Sequence, residues 1–139
     1  MVAQYAKGRR VLNAFAYTGG FSLSAIKAEA KEVVSLDISA RAVRICEENV
    51  KMNFAENTTH IGEVADVLDY LNSLEKGRFD LIVLDPPAFA KHQRNLQQAL
   101  KGYRAINQKA MEKIASGGLL FTFSCSQAVS KEDFATMLF

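Results

Sequence analysis

Three carboxylates follow short apolar runs at points where strands are expected to end. Asp37 closes one such run, Asp66 comes two residues after a second, and Asp85 directly follows a third. A carboxylate accepts hydrogen bonds from the hydroxyl groups of a ribose or from the amino group of a base. Ligands of open α/β sheets bind beyond the carboxyl ends of the strands, so we expect the three side chains to line one ligand site.

A glycine-containing loop follows the first apolar run of the chain, at residues 16–22. Glycine allows the backbone to approach a ligand closely and opens the N-terminus of the following helix towards it. Asp37 lies 18 residues after Gly19. This is close to the spacing of about 20 residues at which an acidic residue binds the ribose in nucleotide-binding folds. Glycine or a carboxylate at four consecutive strand ends predicts an adenosine-type cofactor.

The dinucleotide pattern G-x-G-x-x-G is absent, because Phe15 and Tyr17 occupy two positions where it needs glycine. A pyrophosphate would lose its close approach to the backbone there, whereas a cofactor without phosphates tolerates side chains. The loop therefore predicts S-adenosylmethionine rather than NAD. We expect the two glycines at its methionine part, Asp37 at its ribose and Asp66 at its adenine. The expected cofactor-binding residues are Asn13, Phe15, Tyr17, Thr18, Gly19, Gly20, Asp37, Ile38, Asp66, Val67 and Asp85.

The segment Asp85-Pro86-Pro87-Ala88-Phe89 combines a hydrogen-bond acceptor, a rigid corner and an aromatic ring. Two prolines cannot continue a sheet ladder, so they fix a stiff turn after the strand. This combination suits a flat polar ring such as a nucleobase. The alternative is a proline-ended strand in which Asp85 is a turn residue.

The region from Lys91 to Lys113 is basic, with six cations against one anion in a chain whose net charge is +2. It begins just after the proline turn, so it predicts phosphate attraction beside a base site. The alternative is a solvated helix face. Tyr103 has helical spacing with Leu100 and Ile106, which also permits a place in the core. The expected substrate-binding residues are Pro86, Pro87, Phe89, Lys91, Arg94 and Tyr103.

Strand and helix patterns alternate along the whole chain, which predicts one α/β domain over residues 1–139. Such alternation favours a parallel sheet with right-handed crossovers and helices on both faces. We expect a Rossmann-like sheet with the strand order 3-2-1-4-5. The predicted strands are 10–15, 32–37, 60–64, 79–84 and 119–123, and the predicted helices are 21–30, 40–52, 67–74, 95–115 and one that Ser130 caps.

The composition is that of an ordinary globular protein, with 49% hydrophobic and 23% charged residues. Apolar runs stay well below the ~18 residues of a membrane span, and the N-terminus lacks a signal-peptide pattern. Two cysteines give no disulfide framework, so a reducing, cytoplasmic location is expected. Nothing has metal-ligand spacing, so we predict no metal.

Several motifs together resemble the class I S-adenosylmethionine-dependent methyltransferases. They are residues 11–22, Leu36-Asp37, residues 84–89, Gly102-Tyr103 and residues 123–126. More narrowly, they resemble the branch that contains the bacterial large-subunit ribosomal RNA cytosine-C5 methyltransferases. The resemblance implies a catalytic-core fragment that lacks the family's N-terminal RNA-binding domain, an intervening small domain and the last two strands of its sheet. Asn13 stands where many class I enzymes have an acidic residue, so we expect a less ordered loop with binding retained.

Methylation at cytosine C5 requires covalent catalysis, because this ring carbon is a poor nucleophile. Cys125 follows the fifth predicted strand and is expected at the same sheet edge as Asp85. The resemblance implies that its thiolate adds to C6, while Asp85 holds the amino group of the base. The alternative is a packed thiol, the interpretation we favour for Cys46 on the apolar face of a helix. The base that removes the C5 proton is not identified.

Two other functions remain open. Asp-Pro-Pro-Ala-Phe also resembles the loop with which exocyclic-amine methyltransferases hold an amino group, a reaction that needs no cysteine. A fragment that only binds the cofactor is the third possibility. The expected partner is RNA, most readily large-subunit ribosomal RNA. The sheet edge beside the fifth strand is expected to allow self-association.

Overall fold

The computed structural model describes residues 3–56, 59–87, 96–124 and 130–138. One parallel five-stranded sheet has the order β3-β2-β1-β4-β5, which confirms the predicted fold. The described elements are α1 (Ala3–Ala6), β1 (Arg10–Ala14), α2 (Gly20–Lys27), β2 (Glu32–Asp37), α3 (Ala40–Asn53), β3 (His60–Val64), α4 (Val67–Ser73), β4 (Leu81–Leu84), α5 (Leu96–Lys113), β5 (Leu119–Thr122) and α6 (Lys131–Leu138).

Most element boundaries agree with the sequence-based expectation, and the differences have local causes. β1 ends one residue early because Phe15 adopts a left-handed backbone conformation, with φ of 59°. α2 ends at Lys27, and Glu29 two residues later also has a positive φ of 65°. β4 begins at Leu81 rather than at Phe79, although Phe79 is fully buried. The four-residue helix α1 was not predicted, because one turn is too short to show a periodic pattern.

The three central strands, β1, β2 and β4, are buried on both faces. Leu12, Leu36 and Leu84 point to the face that α4 and α5 cover, while alternate residues such as Val11 and Val83 pack beneath α2. This explains why the central strands are continuous apolar runs rather than alternating ones. Both layers hold the carboxyl ends of β1, β2 and β4 in register, which positions the loops that follow them.

Side-chain caps fix the starts of three helices. Ser39 Oγ accepts from the backbone N–H of Ala42 at 3.2 Å and begins α3. Ser130 Oγ accepts from the N–H of Asp133 at 3.0 Å and begins α6, as the sequence predicts. The cap of α4 is Asp66, which is also an expected ligand-binding residue.

Arg10 and Asp80 join the amino ends of β1 and β4. The Asp80 carboxylate accepts from Arg10 Nη2 at 2.8 Å, from Nε at 3.0 Å and from the Arg10 backbone N–H at 2.8 Å. The Arg10 guanidinium lowers the pKa of Asp80 to about 2. This ion pair lies at the amino ends of the strands, whereas the loops of the candidate site follow the carboxyl ends, so its role is structural.

Candidate cofactor and substrate site

The loop between β1 and α2 has an unusual backbone. Phe15 and Tyr17 have φ of 59° and 51°, and Gly19 has φ of 93°. The two non-glycine residues stand where the dinucleotide pattern would have glycine, so the loop keeps a glycine-like conformation while carrying side chains. Such a conformation costs an L-residue roughly 1–2 kcal/mol, which surrounding contacts must offset.

Asp37 and the end of β2 hold this loop. Asp37 Oδ2 accepts from the Tyr17 backbone N–H at 3.0 Å, and the Ala16 N–H donates to the Leu36 carbonyl at 2.9 Å. Asp37 Oδ1 accepts from the Ser39 N–H at 2.9 Å. Each carboxylate oxygen has a second lone pair, and the residue is partly exposed, so a ribose hydroxyl remains compatible with this geometry. Asp37 therefore orders the loop, and its geometry leaves room for the predicted ribose contact.

Helix α3 supports the same loop from below. Asn49 Nδ2 donates to the Thr18 carbonyl at 3.0 Å. Gly19 packs on Cys46 so closely that a Cβ at position 19 would lie 2.5 Å from the Cys46 Sγ. Cys46 is fully buried, as predicted, and this burial raises the pKa of its thiol despite a hydrogen bond with Ser35.

A chain of buried polar groups runs beneath the loop from β1 to β3. Asn13 Nδ2 donates to Ser22 Oγ at 2.9 Å, Ser22 and Ser35 share a hydrogen bond, and Ser35 Oγ lies 2.7 Å from His60 Nε2. Burial lowers the pKa of His60, against an opposing effect of Glu47. Asn13 is only 1% exposed, so its side chain orders the start of α2 rather than presenting a surface to a cofactor.

The remaining expected adenosine contacts lie at the ends of β2 and β3. Ile38 follows Asp37 and is 70% exposed, so it offers an apolar surface beside the carboxylate. Asp66 Oδ1 accepts from the Asp69 N–H at 3.0 Å as the cap of α4. The Ala65 N–H donates to the Asp37 carbonyl at 3.1 Å, which brings the two strand ends together. The Val67 side chain is buried in the core, so a contact with the cofactor would have to come from its backbone.

A cavity of about 420 Å³ joins the loop to Asp85. Its lining comprises residues 15–18, Gly20, Phe21, Ser24 and Asp85. The sequence analysis missed Phe21 and Ser24, although their spacing of three residues on the first turn of α2 indicates a shared face. Phe21 also stacks on Phe123, with ring centroids 5.7 Å apart.

Asp85 and the segment after β5 follow the carboxyl ends of two neighbouring strands. The parallel register pairs Leu84 with Thr122, and the Phe123 N–H donates to the Leu84 carbonyl at 2.9 Å. Asp85 is partly exposed, Pro86 is buried and Pro87 is exposed. Four expected site residues lie outside the described residues, namely Phe89, Lys91, Arg94 and Cys125.

Three side chains of α5 make contacts within the scaffold. Tyr103 is fully buried and packs edge-on against Phe134, so it occupies the core rather than a substrate surface. Lys113 Nζ donates to the Leu74 carbonyl at 2.6 Å at the end of α4, and Lys109 pairs with Glu112 at 3.0 Å. On the described part of the basic region, Lys101 and Arg104 are exposed, whereas Lys109 and Lys113 are partly buried.

Other features of the described residues lie outside this site. A cavity of about 660 Å³ between α5 and α6 shares none of the residues named for the loop or for Asp85. Within the described ranges, no cluster of three or more His, Cys, Asp or Glu side chains could hold a metal ion. No helix among the described residues is both long and apolar enough to cross a membrane.

The fold and the loop geometry define the class of protein. A parallel sheet in the order 3-2-1-4-5, with a tight loop after β1 and an acidic residue at the end of β2, is a nucleoside-binding α/β domain. Residues 1–136 match the model of the S-adenosylmethionine-dependent methyltransferase family, and the chain belongs to that family.

Several curated relatives carry the description "Ribosomal RNA large subunit methyltransferase I". One from Erwinia tasmaniensis is 41% identical over 97% of this chain, and one from Aeromonas hydrophila is 45% identical over 89%. These alignments cover 35% and 32% of the two relatives, so the chain spans about a third of their length.

A solved structure supports the same fold over nearly the whole of this chain. SMU.776, described as a putative methyltransferase complexed with SAH, superposes with a TM-score of 0.83 at 25% identity. It is matched over 99% of this chain and 37% of its own. NSun6 from Pyrococcus horikoshii, with a TM-score of 0.77 at 21% identity over 95% of this chain and 36% of its own, shares the fold.

Proposed function

We propose that this chain is the catalytic core of an enzyme that methylates cytosine C5 in large-subunit ribosomal RNA. The proposal rests on one observation, which is that three parts meet at the carboxyl ends of the strands. They are the loop after β1, Asp85, and the segment after β5 that precedes Cys125 in the sequence. The relatives described as ribosomal RNA large-subunit methyltransferases support the substrate class.

The residues of the site fit S-adenosylmethionine. Side chains at positions 15 and 17 leave no glycine-lined approach for a pyrophosphate, whereas a sulfonium cofactor has no phosphates to accommodate. Asp37 and Asp66 would hold the ribose and the adenine, and Ile38 would cover the adenine face. When bound, the cofactor supplies an electrophilic methyl group.

The chain's own residues would supply the covalent chemistry. The Cys125 thiolate would add to cytosine C6 and form a C–S bond, which moves electron density to C5. C5 would then take the methyl group as its bond to the sulfonium sulfur breaks, which leaves S-adenosylhomocysteine. A base then removes the C5 proton, the C5–C6 double bond re-forms and the thiolate leaves. Asp85 would accept a hydrogen bond from the cytosine amino group, and Pro86 and Pro87 would fix that carboxylate at the pocket. Phe89 would stack on the base, and Lys91 and Arg94 would bind phosphate.

The test uses the full-length protein that carries this chain, incubated with S-adenosylmethionine and ribosomal RNA containing 5-fluorocytidine. Fluorine at C5 cannot leave as a proton, so a C6-linked thiolate would be trapped. Mass spectrometry should locate the adduct on Cys125, and a Cys125→Ser variant should give none. Methyl transfer to unmodified RNA without any adduct would contradict the cysteine mechanism.

A second function, methylation of an exocyclic amine, is favoured by the turn after β4. A partly exposed Asp85 followed by a buried Pro86 offers an acceptor and a carbonyl to an amino group without any thiol. Cys125→Ser separates the two functions, because it should abolish methylation at C5 and leave methylation of an amine nearly unchanged. If the protein binds the cofactor and transfers no methyl group to RNA, the chain is a cofactor-binding core without this activity.

A further inference from the structure

Helix α3 contacts the cofactor loop at two adjacent residues. Asn49 donates to the Thr18 carbonyl, and Cys46 lies against Gly19. Asn49 and Cys46 are three residues apart, so they share one face of the helix and meet the loop together. The two contacts set the position of the backbone at the point where it enters α2.

We propose that Asn49 is a positioning residue for cofactor binding, acting through the Thr18 carbonyl. This deepens the proposed function and rests on the proposed cofactor site. Neither Tyr17 nor Gly19 has the φ of an extended or right-handed helical residue, so the loop depends on external contacts for its shape. Asp37 holds it at Tyr17 from the sheet, and Asn49 holds it at Thr18 from the helix.

The donor amide is the property that matters at position 49. An Asp side chain has the same shape but accepts only, so it would face the Thr18 carbonyl without a proton to share. The sequence contains a matched control one turn later. Asn53 Nδ2 also donates to a backbone carbonyl, that of Asn49 at 2.8 Å, but this acceptor belongs to the helix itself. Asn53 ends α3, where a new negative charge is unfavourable, so Asn53→Asp is a demanding control.

The experiment compares the parent protein with Asn49→Asp, Asn49→Ala and Asn53→Asp. Binding of S-adenosylhomocysteine is measured by calorimetry on the folded fraction, and amide hydrogen exchange is followed in the ligand-free protein at Tyr17 and Gly19. Loss of one hydrogen bond should weaken binding and speed loop exchange by about 3- to 10-fold in both Asn49 variants. Asn53→Asp should stay within about twofold of the parent in both readouts, because its bond lies outside the loop.

Three results would overturn the proposal. They are unchanged affinity in both Asn49 variants, equal losses in Asn53→Asp, and weaker binding with unchanged exchange at Tyr17 and Gly19. A fall in melting temperature with unchanged affinity would also place Asn49 among purely structural residues. If the parent protein itself does not bind the ligand, the proposed cofactor site fails. The exchange data would then decide the loop role of Asn49 independently.

Discussion

Substituting Gly19 with alanine should produce an overlap that a second substitution relieves. The new Cβ would lie 2.5 Å from the Cys46 Sγ, closer than real Cβ atoms approach their neighbours. Gly19 also has φ of 93°, which an L-residue adopts only under strain. In a Cys46→Ala background the nearest remaining atom at position 46 is its Cβ, at 3.4 Å, which is ordinary van der Waals contact.

The magnitudes follow from these two effects. Left-handed strain should cost Gly19→Ala about 1–2 kcal/mol, and the overlap with Sγ should cost about 1–3 kcal/mol more. Cys46→Ala alone should cost about 1 kcal/mol, since it removes one buried atom of roughly methylene size. In the double variant the overlap disappears, whereas the strain at position 19 and the cost of Cys46→Ala remain. The coupling energy should therefore be about 1–3 kcal/mol in favour of the double variant.

The assay is urea unfolding of the parent, both single variants and the double variant. Gly20→Ala is the matched control, because its Cβ would meet open space at a neighbouring residue of the same loop. Its free energy of unfolding should change by less than about 0.5 kcal/mol. If the Gly19 and Cys46 effects add within about 0.5 kcal/mol, the two residues are not in contact and the described packing of the loop on α3 is wrong.

Three further predictions concern pH and assembly. Asp80→Asn should lower the free energy of unfolding by about 1 kcal/mol at pH 7. The loss is this small because the ion pair is partly exposed and solvent screens it. The folded pKa, about 2, lies below the unfolded value of 3.8, so the difference from the parent in urea should shrink as pH falls from 4 towards 2. Burial lowers the pKa of His60 below its usual value of 6.5, so the stability it contributes is complete above pH 6.5 and is lost as the pH falls below it. Urea unfolding at pH 7.5 and 5.5 should show this dependence in the unsubstituted protein and not in His60→Gln. Within the described residues β5 pairs only with β4, so the chain should self-associate through this edge; sedimentation showing monomers at every concentration would contradict this.

Sequence patterns predicted the fold because local and tertiary preferences agree along the strands. Continuous apolar runs such as Leu81–Leu84 need cover on both faces, and the capping residues Ser39 and Ser130 begin helices with their own side chains. These signals lie within a few residues of the element that they specify. Alternation and handedness predict a parallel sheet, and the order 3-2-1-4-5 came from the resemblance to the methyltransferase family.

The loop geometry was not predictable from the same patterns. Phe15 and Tyr17 occupy positions where the dinucleotide pattern has glycine, yet both have the positive φ that glycine readily adopts. The contact that holds Tyr17 comes from Asp37, 20 residues away, and the support at Thr18 comes from Asn49, 31 residues away. Tertiary contacts thus override local preference here.

The sequence left the side-chain roles on α5 open for a related reason. A charge count cannot separate Lys113, which donates to the carbonyls at the end of α4, from an exposed cation such as Lys101. The helical spacing of Tyr103 permitted both core and substrate, and its full burial favours the core. In both cases the partner lies on another element of the chain.

The double attachment of Asp37 bears on efforts to redesign the nucleoside preference of this fold. Its carboxylate fixes Tyr17 on one side and the start of α3 on the other, through Ser39. A substitution chosen to admit an altered ribose would also release the loop between β1 and α2, the proposed site of the methionine part of the cofactor. Ile38 is exposed, and its aliphatic side chain cannot form hydrogen bonds that hold neighbouring segments. Variant libraries meant to accept cofactor analogues should therefore vary Ile38 and keep Asp37 unchanged.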